Sequence, residues 1–79
     1  MDYDKSKVDE LTLALMFLTS FSQYGVTRSW KGYDWDVMAR LHDAGLIHDP
    51  VGKAKSVTLT EEGAKRSAEL FKKHFAQAA

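Results

Sequence analysis

Seventy-nine residues with eleven bases, eleven acids and no cysteine describe a single domain, residues 1–79, that has neither disulfides nor thiolate metal sites to supplement its core. Hydrophobic packing has to suffice, and a chain of this size is expected to be stable by about 4–12 kcal/mol. The zero formal net charge counts against a dedicated duplex-DNA binder, which ordinarily carries a basic excess to neutralise phosphates.

The longest apolar stretch, from Leu11 to Phe21, is too short and too interrupted by Thr and Ser to span a bilayer. The N-terminus, Met1-Asp2-Tyr3-Asp4-Lys5, is not the basic opening of a signal peptide, so a cytoplasmic location without membrane association is the default expectation.

In chain order, a first helix is predicted from Asp4 or Ser6 to about Ser22. It carries two apolar stripes at helical spacing: Val8, Leu11, Leu15 and Leu18 on one side, Leu13, Phe17 and Phe21 on another. A helix apolar around so much of its circumference is normally buried on two sides. The segment Gln23–Tyr33 has no clear period and room for at most one turn around Thr27–Lys31. Its rings Tyr24, Trp30 and Tyr33, with Trp35, are expected to plug the core. The other reading of the same rings, interleaved with Arg28 and Lys31, is a stacking platform for single-stranded nucleic acid.

A second helix is predicted from Asp34, an N-cap, to Ala44, with Gly45 in the left-handed position that ends it and Leu46 packing back on Leu41. Trp35, Met38 and Leu41 are expected inside, leaving Asp36, Ala39, Arg40 and Asp43 to solvent. Leu46–His48 and Ser56–Leu59 read as two short strands joined through Asp49-Pro50-Val51-Gly52, which suits a type I turn. Thr60 caps the last helix, with Glu61 and Glu62 complementing its dipole. Ala64, Ala68, Phe71 and Phe75 form its apolar face, and residues 76–79 are expected to fray.

A helix ending Ala44-Gly45-Leu46-Ile47, a hairpin, and Leu59-Thr60-Glu61-Glu62-Gly63 opening a helix resembles the recognition helix, wing and following helix of bacterial winged-helix regulators. The resemblance covers roughly Asp34 to Phe75. It implies an α+β, winged-helix-like fold of three main helices, with one two-stranded hairpin, the wing, between the second and last of them. The whole chain also resembles a family of small bacterial proteins of unknown function, through Trp30-Lys31-Gly32-Tyr33-Asp34-Trp35-Asp36-Val37 and Asp49-Pro50-Val51-Gly52-Lys53-Ala54-Lys55-Ser56. That second resemblance implies no activity and no site residues. Little room exists between Gln23 and Tyr33 for the first helix of a helix-turn-helix.

Functional expectations follow from what is left over. The stripe Leu13, Phe17 and Phe21, with Met16 beside it and Leu70 from the last helix, is expected to form a symmetric homodimer interface; the competing reading buries the first helix on both sides within its own chain. Arg28, Lys31, Lys53 and Lys55 are the candidate contacts to a nucleic acid backbone, against a bland account in which the tip lysines only solvate a turn. Two carboxylates and one guanidinium on the outward face of the second helix make a poor surface for phosphates.

His42, His48 and His74 match no common metal-ligand spacing, Gly52-Lys53 lacks the rest of a phosphate loop, and no Gly-x-Ser-x-Gly occurs. No metal, cofactor or catalytic residue is expected. The sequence therefore reads as a small non-enzymatic interaction or regulatory module, with weak DNA binding through the wing as the alternative.

Overall fold

The computed structural model describes residues 1–77. Three helices and three strands follow one another as α1 (Lys5–Leu18), β1 (Ser20–Gln23), β2 (Val26–Trp30), α2 (Trp35–Asp43), β3 (Ser56–Thr58) and α3 (Glu61–Phe75). The fold is thus α+β, with an antiparallel three-stranded sheet in the order β1-β2-β3.

Asp4 caps α1 by accepting from the Lys7 N–H at 3.0 Å. The helix stops four residues short of Ser22 because Thr19 turns its hydroxyl back to the Met16 carbonyl and shares a 2.9 Å hydrogen bond with Ser29 across the sheet. The residues expected to complete α1 instead form β1. They pair with β2 through Phe21↔Arg28 and Gln23↔Val26, so Gln23–Trp30 is a hairpin rather than an irregular segment. Tyr24 and Gly25 both adopt positive φ, 52° and 79°, the signature of a two-residue type I′ turn, whose twist matches that of the flanking strands.

The expected two-stranded wing is also corrected. β3 pairs with β2 through Arg28↔Thr58 and Trp30↔Ser56, whereas residues 46–48 meet it only at the Ile47↔Leu59 bridge and the His48 N–H···O=C Thr58 bond of 2.9 Å. Among the described residues no helix lies between β2 and α2, so the first helix of a helix-turn-helix is missing.

The local signals of α2 and α3 hold. Asp34 accepts from the Asp36 and Val37 N–H groups. At the other end, Gly45 at φ 77° lets Leu46 N–H reach the Leu41 carbonyl and Gly45 N–H reach that of His42, a Schellman ending. Thr60 accepts from Gly63 N–H at 2.9 Å while its hydroxyl donates to the Gly45 carbonyl at 2.8 Å, which ties the end of α2 to the start of α3.

Leu13, Ala14 and Met16 from α1, Val37, Met38 and Leu41 from α2, Ile47, Val57 and Leu59 from the sheet region, and Leu70 from α3 make the core. Two expectations about that core are corrected. Met38 and Leu41 of α2 are buried as expected, but Val37 joins them and Trp35 lies 58% exposed beside the stripe. The aromatic plug is mostly outside: Tyr24 is fully exposed and Trp30 is 54% exposed, while Tyr33 alone of the four packs on the core, its hydroxyl 3.4 Å from that of Thr19.

Candidate interaction surfaces

The two stripes of α1 exchange roles. Leu13 and Met16 point into the chain's own core, as does Leu70 from α3, so these three of the five expected dimer contacts offer no surface to a partner. Phe17 stays at the rim, its ring 5.2 Å from that of Phe71, and Phe21 lies half-buried 5.0 Å from Trp30 on the sheet. Of the other stripe Val8 packs against the core, whereas Leu11 is half-buried, Leu15 is exposed and Leu18 is 66% exposed. Spacing of four and three residues puts these leucines in one row along the helix. The chain alone could not rank the two stripes, because both have helical period and similar hydropathy.

α3 packs on the rest of the fold through a row that composition disguises. Its buried residues are Gly63, Ser67 and Leu70, with Ala64, Ala68 and Phe71 half-buried beside them and Phe75 exposed. Small side chains let the helix approach closely, so Leu70 is on the buried row rather than outside it.

Of the four expected nucleic-acid contacts, two are engaged within the fold. Arg28 donates from Nε to Ser56 Oγ at 2.8 Å, from one Nη to Thr58 Oγ1 and from the other to the Ser56 carbonyl at 2.9 Å. The Lys31 ammonium donates to the carbonyls of Pro50 at 2.7 Å and Gly52 at 3.1 Å and sits 5.9 Å from the centre of the Trp35 ring. Both are internal braces of the sheet and its loop. Lys53 and Lys55 are exposed on that loop.

Exposed Asp36 and Asp43 dominate the outer side of α2. Arg40 does not offset them, because its guanidinium is held by Asp9 of α1 in two bonds of 2.8 Å. Those hydrogen bonds, reinforced by the charge of Asp9, raise the Arg40 pKa above its ordinary value. This helix presents no basic face to a groove.

The Asp9–Arg40 pair also lines an open cleft of ≈ 360 Å³ between the helices, with Leu13, Leu41 and Leu70 among its apolar walls and Arg66 at its side. A second cleft of ≈ 360 Å³ lies where the hairpin, His48 and the start of α3 meet. Among the described residues no three His, Asp or Glu side chains converge as a metal site. Two of the histidines have separate duties. His42 Nδ1 lies 3.1 Å from the Ile47 carbonyl and His74 Nε2 lies 3.1 Å from Glu10. No helix among the described residues is long and apolar enough to cross a membrane.

Comparison with known proteins places this architecture in a family. The model of a domain of unknown function (DUF6429) matches residues 4–77, from the α1 cap to just past the end of α3. The chain is similar to the uncharacterised protein y4hR of Sinorhizobium fredii (strain NBRC 101917 / NGR234), at 48% identity over 75 residues covering 95% of this chain and 97% of the relative. No solved structure is similar enough to count as a match. The chain belongs to the DUF6429 family.

Proposed function

We propose that the protein is a small non-enzymatic interaction module on a winged-helix-like scaffold, and that it self-associates as a homodimer through the outward face of α1. The observation that carries this reading is the exposed leucine row: Leu15 and Leu18 stand in water with Leu11 half-covered beside them. Leaving such side chains solvated forgoes about 1.5–3 kcal/mol for each one that a partner could bury fully.

The row carries no charge that would select a charged partner, and a self-complementary apolar row suits a two-fold axis. The scaffold reading is supported by β3 lying between β2 and Ile47, with α2 and α3 flanking that bridge in the chain.

Size-exclusion chromatography with light scattering tests the proposal. A dimer at micromolar concentration that becomes a folded monomer on combined Leu15→Asp and Leu18→Asp substitution is the expected result; a monomer at high micromolar concentration overturns it.

A second reading, duplex DNA held by the loop that precedes β3, is favoured by the exposure of Lys53 and Lys55. With two free lysines the salt dependence of binding would have a log–log slope of only about −1.8. Anisotropy titration with duplex DNA decides it: salt-sensitive binding lost on Lys53→Ala with Lys55→Ala supports it, and no binding at low salt eliminates it.

A further inference from the structure

The charges of the chain cancel in total but not in place. Residues 19–33 and 50–60, which form the sheet, its hairpin turn and the later part of the loop entering β3, carry Arg28, Lys31, Lys53 and Lys55 and no carboxylate, Asp49 lying just before them in that loop. All eleven acids lie in the remainder, with only seven bases. A zero net charge therefore hides a cationic sheet region, helices whose acids and bases balance, and an acidic excess at Asp2, Asp4, Asp34 and Asp49.

The sheet has an open face. The registers Phe21↔Arg28, Arg28↔Thr58 and Trp30↔Ser56 put Phe21, Arg28, Trp30, Ser56 and Thr58 on the side opposite buried Ser29 and Val57, because alternate strand residues share a face. Trp30 stands more than half exposed there, braced by the Phe21 ring. Arg28 has its hydrogen-bonding edge occupied by Ser56 and Thr58, which leaves the flat faces of its guanidinium as its remaining contact surface. Next in the chain, the Lys31 N–H binds the Lys55 carbonyl at 3.0 Å and its ammonium lies near the Trp35 ring. The loop that carries the free lysines is thereby tied to the end of β2 that carries Trp30.

We propose that the outer face of the sheet is a stacking platform for single-stranded nucleic acid. Unpaired bases lie on Trp30 and on the guanidinium plane of Arg28, and the phosphates run past Lys53 and Lys55. Every base has a π-face, so ring and guanidinium stacking needs no particular sequence. A duplex keeps those faces within its own stack and offers this surface only phosphates, for which two free lysines supply little.

Fluorescence anisotropy with labelled oligothymidylate, oligouridylate and a duplex of the same length, at low and moderate salt, tests the assignment together with quenching of tryptophan emission. Both single strands should bind more tightly than the duplex and quench the emission; a difference between the two reports a preference for sugar or for the 5-methyl group within the same site. Trp30→Ala should weaken binding by at least about tenfold, and Trp30→Phe should restore most of it. Lys53→Glu with Lys55→Glu should weaken binding and reduce the magnitude of the salt slope by about 1.4. That second pair decides the matter should Trp30→Ala fail to fold by circular dichroism. No binding of either single strand at low salt overturns the proposal. So do preference for the duplex, indifference to both sets of substitutions, and burial of Trp30 by self-association alone, which would make this face a protein interface.

Discussion

Gly63, the third residue of α3, lies against the backbone of Leu46 so closely that a β-carbon built on it would fall 1.7 Å from the Leu46 carbonyl oxygen. The same carbonyl accepts the Thr60 N–H at 3.1 Å, so the chain leaving α2 and the first turn of α3 are locked at one separation. In an open helix Gly→Ala gains about 1 kcal/mol from propensity. Here the sign should invert, because the obstacle is backbone rather than a movable side chain: Gly63→Ala is expected to cost about 1–3 kcal/mol. Urea denaturation measures it, and a stabilised variant would contradict the close approach.

The exchange of the two stripes on α1 predicts opposite outcomes for two leucines. Leu13→Ala empties a position that is 1% exposed and should cost about 2–5 kcal/mol, a large share of the stability of so small a domain. Leu18→Ala should change the stability of the dilute monomer by no more than about 0.5 kcal/mol while weakening self-association. Thermal unfolding at low concentration, paired with light scattering at high concentration, separates the effects. Equal destabilisation by both would return the leucine row to the core.

Tyr24 pays a backbone cost for its position. A non-glycine residue in the left-handed region carries roughly 1–2 kcal/mol of steric penalty, and Asn-Gly is the preferred pair for this turn. Tyr24→Asn is therefore expected to stabilise the fold by about 0.5–1 kcal/mol, read as a higher denaturation midpoint with an unchanged slope. No gain would mean that the exposed ring contributes contacts of its own.

Because Asp9 raises the Arg40 pKa, the stabilisation from that guanidinium is fully present below the unfolded pKa and is lost only as pH rises through the folded one. Both lie above the range in which the protein would be studied, so the Arg40 charge contributes no pH dependence from acid to mildly alkaline solution. Arg40→Lys should introduce one, as a decline in stability when pH rises through about 10, and should replace a two-bond contact by a single one. Thermal melts at neutral and alkaline pH, on both forms, check this.

The helices α2 and α3 were legible because their ends are written locally: Asp34 and Thr60 accept the first-turn N–H groups, and Gly45 takes the left-handed ending. The β1–β2 hairpin was not, because Tyr-Gly is a weak turn signal and the strands hide their alternation. Phe21, Val26 and Trp30 sit on the open face, while the covered face is serine and threonine. Burial of Ser29 is accounted for by Thr19, whose hydroxyl lies ten residues back in sequence and 2.9 Å away in space. The misplacement of Trp35 has a related cause. Helical spacing joins it to Met38, but the core-facing direction of α2 is set by Val37, Met38 and Leu41 together, and a wheel alone cannot choose that direction. Among the candidate cations Arg28, Lys31, Lys53 and Lys55, the sequence could not tell which are engaged within the fold: Arg28 and Lys31 find their partners across strand and loop.

The sorting of charge between the sheet region and the rest of the chain has a practical consequence at the bench. Near its isoelectric point of about 6.8 the molecule should not pass charged resins as a neutral solute would. A cation exchanger can hold it by the loop lysines and an anion exchanger by the carboxylates outside the sheet region, each at low salt, and replacing Lys53 and Lys55 should weaken retention on the first while prolonging it on the second.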